Sequence, residues 1–290
     1  MCLAGGVVLA ELQLHPWRRA LRHEVAFREF TRQAYNADVA DVSVTAADGA
    51  DLRGWFVQPK NANGSMVILL HGVGDNREGV AGFAHIFLDR GYSVLLPDAR
   101  AHGQSGGMIA TYGLKEAGDI HRWVDWLETA HPRCVYGFGE SMGASQLLQS
   151  LANEQRFCAV VAESAFSRFE QVAPERVAGY SRMPTWFGKS FERPIVDVAI
   201  LYSRWRYGID FRRANPADAI AHSRVPVLLI AGTRDHDILP HHSEELARID
   251  PHAQLWMVQG AAHGGAWGAN PKAFESKVTE FFADHQSNNP

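Results

Sequence analysis

The chain has 290 residues, 46% of them hydrophobic, and a formal net charge of −4 at pH 7 with no long run of one sign. That is enough apolar content for one large core, and the charge pattern argues against nucleic acid or an acidic membrane surface as the main partner. The three cysteines, Cys2, Cys134 and Cys158, lack metal-ligand spacing, and two sit in apolar runs, so buried free thiols in a reducing, cytoplasmic setting are expected.

Residues 1–14 are mostly apolar, but Glu11 and Gln13 interrupt them. The run is too short for a bilayer, which needs about 20 apolar residues, and it lacks the basic start and cleavage site of a signal peptide. It is expected to be an amphipathic helix packed on the protein, within a helical lead-in over residues 1–38. The alternative is the remnant of a longer anchor, which would associate the protein with a membrane.

Residues 42–45 and 52–57 alternate in polarity around Asp48-Gly49, a hairpin signal. A buried strand follows at 66–70, then a glycine-containing loop, His71-Gly72-Val73-Gly74. A helix near 79–90, a strand at 93–96 and a helix near 114–129 come next. In the last of these Ile120, Trp123, Val124 and Leu127 form a core-facing stripe. This rhythm, continued by apolar runs at 134–136, 159–162, 227–231 and 254–258, predicts a mostly parallel sheet with helices on both faces in a domain spanning residues 39–285.

Residues 164–224 break the rhythm and are expected to form a small helical cap insertion. They carry Phe166, Phe169, Trp186, Phe187, Phe191, Tyr202, Trp205, Tyr207 and Phe211, with Pro184 and Pro194. Aromatic side chains there can line a pocket, although most are expected to pack the insertion onto the core.

The chemistry centres on Gly139-Glu140-Ser141-Met142-Gly143, which matches G-x-S-x-G between an apolar run and a helix-like stretch at 144–151. In that context the pattern predicts a nucleophile elbow, a tight strand-to-helix turn that exposes the serine hydroxyl. A serine needs a histidine base, and the histidine needs an acid that sets its tautomer. Asp235, three residues after Gly232, and His263, in the loop at 260–265, each follow a predicted strand in the order serine, acid, histidine. Asp237 and Glu163 are alternative acids. The backbone N–H groups of Met142 and Val73 are the expected oxyanion donors, with Gly72 and Gly74 as alternatives to Val73. His71 is read as structural. His236, His241 and His242 cluster, but without partners at helical spacing or a His-Glu-x-x-His pattern, so no metal is expected. His241 and His242 are instead placed at the start of a helix over 243–249 that Pro240 introduces.

Together with Leu70-His71-Gly72-Val73-Gly74 and the run from Leu96 to Ser105, these motifs make residues 42–282 resemble the alpha/beta-hydrolase superfamily, in its serine-aminopeptidase-like and bacterial esterase-like branch. The resemblance implies an alpha/beta-hydrolase fold and a catalytic triad of Ser141, Asp235 and His263, with no cofactor. It also implies a structural role for Asp98, Arg100 and His102. The expected activity is a carboxylesterase-like hydrolysis of small-molecule esters. A peptidase, amidase or thioesterase would use the same triad, and a non-catalytic ligand-binding protein on the same fold is the remaining alternative.

Overall fold

The computed structural model describes residues 2–181 and 185–286, and the side chains of all of these except 180–181 and 185–191. Two helices, α1 (Cys2–Leu14) and α2 (Glu24–Tyr35), precede the hairpin β1 (Val39–Thr45) and β2 (Asp51–Val57). Then come β3 (Ser65–Leu70), the short helices α3 (Glu78–Ala81) and α4 (Ala84–Leu88), β4 (Ser93–Pro97), α5 (Glu116–Glu128), β5 (Cys134–Glu140), α6 (Met142–Ser150) and β6 (Phe157–Glu163). The insertion holds α7 (Phe169–Ser181), α8 (Thr185–Tyr207), a turn of 3-10 helix at Phe211–Arg213 and α9 (Pro216–Ile220). The chain finishes with β7 (Val227–Gly232), α10 (His241–Ile249), β8 (Gln254–Val258), α11 (Ala266–Ala269) and α12 (Pro271–Asp284).

The strands form one eight-stranded sheet in the order β1-β2-β4-β3-β5-β6-β7-β8. β1 with β2 and β2 with β4 are antiparallel, and every other pair is parallel. Side chains alternate across a strand, so β3 sends Val67 and Leu69 to one face and Met66, Ile68 and Leu70 to the other. The first face packs on Phe87, Phe274 and Phe282, the second on Trp123, Leu147 and Leu148. With both faces covered, the central strands are apolar at nearly every position. Gly49 closes the β1–β2 hairpin with φ of 83°, a conformation glycine adopts without steric cost.

Within the sheet domain two expectations change. The single helix near 79–90 is divided at Gly82 into α3 and α4. More consequentially, Cys134 and Cys158 are not free thiols but form a disulfide, with Cα atoms 5.7 Å apart. Cys134 opens β5, and the β5–β6 register slips between Val135, opposite Phe157, and Tyr136, opposite Ala159, so Cys158 is the extra residue. That irregularity brings the two sulfurs together. The cysteines therefore lend no support to a reducing compartment. Cys2 is the free cysteine. Among the described residues no helix is long and apolar enough to cross a membrane.

The N-terminal run is a helix that packs on the protein, as expected. α1 lies along α8, where a Cβ on Gly6 would come within 2.7 Å of the Ile195 carbonyl oxygen. Glu11 accepts hydrogen bonds from Tyr202 (2.6 Å) and Tyr207 (2.8 Å). Leu3, Val8 and Leu12 are nonetheless exposed, so α1 is apolar around its circumference rather than amphipathic.

Candidate active site

β5 ends at Glu140, and Ser141 follows with φ of 55° and ψ of −115° before α6 begins. A non-glycine residue at positive φ is strained and persists only where its surroundings over-determine it. Here the surroundings are two close approaches. A Cβ on Gly139 would stand 2.6 Å from the Ala144 nitrogen, and one on Gly143 only 2.4 Å from the Leu70 carbonyl oxygen. The Ser141 N–H donates to the Glu163 carbonyl (2.8 Å), which ties the turn to β6.

The other two residues arrive from the ends of β7 and β8, on the same edge of the sheet. His263 Nε2 lies 2.8 Å from Ser141 Oγ, and His263 Nδ1 lies 2.9 Å from Asp235 Oδ2. The second Asp235 oxygen accepts the backbone N–H groups of Asp237 (3.0 Å) and Ile238 (2.9 Å), so the carboxylate has one orientation and one oxygen for the imidazole. Gly232 permits this meeting, because a Cβ there would lie 2.3 Å from the Ala261 carbonyl oxygen in the histidine loop.

Burial opposes charge on both partners, and their mutual interaction outweighs it. Desolvation would raise the Asp235 carboxyl, yet the hydrogen bond and charge of His263 hold it below its ordinary value. Desolvation would lower His263, yet Asp235 holds it above the ordinary 6.5.

The alternative acids do not hold the imidazole, although Asp237 lies close to it, within 4.8 Å. Asp237 is exposed and contributes its charge to His263 without accepting from Nδ1. Glu163 is buried, and its Oε1 accepts the Ala266 N–H (2.9 Å) while Oε2 has no partner. His71 is buried, with Nε2 accepting the Ala99 N–H (3.0 Å) and Nδ1 beside the Gly72 carbonyl (2.8 Å), a bracing role between two loops. Asp98 pairs with the buried Arg77 (2.6 Å), and Arg100 makes a forked contact to Asp119 (2.7 and 2.6 Å). The motif around Asp98 thus holds loops in place.

One residue that sequence reasoning passed over is Glu140. It stands in a variable position of G-x-S-x-G, and only its fold-given neighbours reveal it: burial pushes its carboxyl up to about 7, and Gly264 packs against it.

Ser141 opens onto two spaces. One is an apolar cavity, partly open to solvent, lined by Val73, Met142 and Ile238, by Phe166, Phe169, Val172 and Phe211, and by Val196 and Ile200 of α8. α1 adds to the wall through Leu9, Ala10 and Gln13. The lead-in therefore helps to build the site, which its position in the chain did not suggest. Of the aromatics in the insertion, Phe166, Phe169 and Phe211 face the cavity, Tyr202 and Tyr207 hold Glu11, and Trp205 is exposed. The side chains of Trp186, Phe187 and Phe191, and Pro184, lie outside the described residues. Pro194 is inside α8. The second space is a polar cleft bordered by Asp75, Glu140, Arg176, Asp237 and His263.

Comparison with known proteins bears on the fold and the family. The chain is 29% identical to the uncharacterised Bacillus subtilis protein YqkD over 269 residues, 89% of this chain and 82% of that one. It is also 29% identical to the uncharacterised Mycobacterium tuberculosis protein Rv2307c, over 82% and 75% of the two chains. Among solved structures, the Pyrococcus furiosus esterase Pf2001 superposes with a TM-score of 0.74 at 25% identity, covering 94% of this chain and all of the other. The model of the alpha/beta hydrolase family matches residues 67–276, from within β3 into the first half of the C-terminal helix. Strand order, elbow and family model agree: the chain belongs to the alpha/beta hydrolase family.

Proposed function

We propose that the protein hydrolyses carboxylic esters whose acyl part is apolar, through an acyl-enzyme intermediate. The observation that carries this reading is the continuous hydrogen-bonded series Ser141–His263–Asp235 at the mouth of an apolar cavity. The similarity to an esterase from Pyrococcus furiosus supports it.

In the proposed reaction the Ser141 hydroxyl donates its proton to His263 Nε2 as Oγ attacks the ester carbonyl carbon. Asp235 keeps the Nδ1–H tautomer and stabilises the imidazolium that forms. The backbone N–H groups of Met142, the first residue of α6, and of Val73, which borders both spaces, receive the negative oxygen. His263 returns the proton to the leaving alkoxide, which departs through the polar cleft. Water then gives a proton to His263 and attacks the acyl-serine, releasing the acid and restoring Ser141. Residues 164–224 act as a cap in this reading, with α1 as a part of its wall.

A panel of nitrophenyl esters of increasing acyl length, with thioesters and aminoacyl amides alongside, tests the proposal. Esters of medium chain are expected to turn over fastest, a fluorophosphonate is expected to label Ser141, and Ser141→Ala is expected to abolish both signals. Amide or thioester turnover that exceeds ester turnover overturns the ester reading, and failure of the phosphonate to label Ser141 overturns the mechanism.

A further inference from the structure

Away from Ser141, α7 of the insertion meets α10 of the sheet domain at Glu175, His241 and His242. The two histidines are neighbours at the start of a helix, where side chains ordinarily diverge. Here their rings lie close together, with centroids 4.3 Å apart and planes tilted by 33°. Both Nε2 atoms converge on one carboxylate: His241 on Glu175 Oε1 and His242 on Glu175 Oε2, each at 2.9 Å. The possible ligand atoms of the three residues all lie within 4.8 Å of one another.

The surroundings of His242 are organised as well. Its ring is fully buried, and Nδ1 lies 2.8 Å from Ser167 Oγ, which lies 2.6 Å from Glu245 Oε2. Arg168 Nε donates to the other Glu245 oxygen (3.2 Å). If Nδ1–H donates to Ser167 and Ser167 O–H donates to Glu245, every proton has an acceptor and Nε2 is left bare. Its lone pair then faces a carboxylate, an arrangement that a cation between them relieves. The Ser167 backbone N–H also approaches Nδ1, at the longer distance of 3.3 Å. That contact favours the opposite tautomer, in which Nε2–H donates to Glu175 and the cluster closes without a cation. The two short contacts through Ser167 Oγ place a proton on Nδ1, which is the position a metal-ligating His242 requires.

We infer that Glu175, His241 and His242 form a site for a divalent transition-metal ion of the zinc type. Two imidazole nitrogens and a carboxylate suit that ion, and a ligating histidine characteristically gives its other ring N–H to a fixed acceptor, as His242 does to Ser167. Access is also provided: the His241 side chain is 43% exposed and that of Glu175 29%, which leaves one side open for entry of the ion and for a water as fourth ligand. The ion would join helices whose ligands stand 66 residues apart in sequence. Val172, Ala173, Arg176 and Val177, which flank Glu175 on α7, line the apolar cavity, so the ion would clamp the wall of the acyl pocket without touching the Ser141 site.

The test uses the full chain stripped with a chelator and then titrated with zinc at pH 7.5, read by calorimetry and by thermal unfolding. Wild type is expected to bind one equivalent with a rise in Tm. His241→Asn and Glu175→Gln, both at partly exposed positions, are expected to weaken binding by more than about tenfold, the scale on which even outer partners of a metal site act. Ser167→Ala should weaken it to a smaller degree. His263→Ala, which removes the competing group at Ser141, is expected to bind as wild type does. Cobalt in place of zinc should give visible absorption bands that zinc abolishes in wild type and that His241→Asn lacks. No saturable binding by wild type, or binding that survives His241→Asn and Glu175→Gln, overturns the inference and leaves a metal-free hydrogen-bonded latch. Loss of zinc binding in His263→Ala also overturns it, by placing the ion at the triad.

Discussion

Glu140 and Glu163 stand opposite each other at the ends of neighbouring parallel strands, and their side chains reach the two ends of the short segment that follows His263. Glu140 packs against Gly264, where a Cβ would come within 2.6 Å of its Oε1, and Glu163 accepts the Ala266 N–H. Burial pushes each carboxyl up to about 7. The proposed base, itself held above its ordinary value, interacts with both carboxyls through charge, and pH profiles will report them as a coupled set.

The first prediction concerns the sign of that coupling. His263 acts as a base in its neutral form, and Asp235 first, then the charges of Asp237 and Glu140, oppose desolvation and hold its pKa above 6.5. The neutral form is then reached only at higher pH, so kcat/KM should rise with an apparent pKa above that value. Glu140→Gln removes a negative charge and should move the acid limb to lower pH. A pH–rate profile on a soluble ester with chemistry rate-limiting checks both, and a limb that stays in place or moves upward counts against the assignment.

Stability should respond to Glu163 in the same window. Its folded pKa, about 7, lies above the ordinary 4.5, so below pH 4.5 it is protonated in both states. As pH rises from 4.5 to 7 the unfolded chain ionises it more readily than the folded protein does, and stability falls. Glu163→Gln keeps an acceptor for Ala266 and removes this loss. Relative to wild type, the variant should gain about 1 to 3 kcal/mol between pH 5 and pH 8, measured by urea unfolding. A difference that does not change with pH would show that Glu163 does not titrate there.

The identity of the acid follows from which oxygen faces the imidazole. Asp235→Asn presents either an amide N–H to Nδ1–H or a reversed tautomer, and the expected loss in kcat is on the order of 10⁴ with the fold retained. Asp237→Asn should cost less than about tenfold, since Asp237 is exposed and acts only through its charge. Equal losses would mean that the two carboxylates share the imidazole in solution.

How far the sequence revealed this site depends on the range over which each contact is encoded. The elbow was legible because Gly139, Ser141 and Gly143 must recur at that spacing for a backbone turn to close on itself. Asp235 and His263 were legible because each follows a strand whose apolar run marks its end. The disulfide was not, since only the irregular β5–β6 register brings Cys158 to Cys134. Nor was the convergence of His241 and His242, because their shared partner Glu175 sits on the insertion. The same reason hides α1 in the pocket wall: Leu9 and Ala10 meet Val196 and Ile200 across most of the chain's length.

The wall built by α1 yields the last prediction. Gly6 lets α1 approach α8 closely, since a Cβ there would lie 2.5 Å from Val198 Cγ1 and 2.7 Å from the Ile195 carbonyl oxygen. Side-chain motion can relieve the first contact, but the second is with backbone, so Gly6→Val should push the helices apart. The triad rests on the ends of β5, β7 and β8, which this displacement does not reach. An acetyl ester, too short to use the far wall, should therefore be hydrolysed at nearly the wild-type rate. An octanoyl ester draws about 0.8 kcal/mol from each methylene it buries, and loss of contact for one or two methylenes should lower kcat/KM by about 4- to 15-fold. The ratio of the two rate constants, with Tm measured in parallel, separates the outcomes. A selective fall for octanoyl places α1 in the acyl pocket, whereas equal falls for both esters would mean that α1 acts on the triad and that the pocket lies elsewhere.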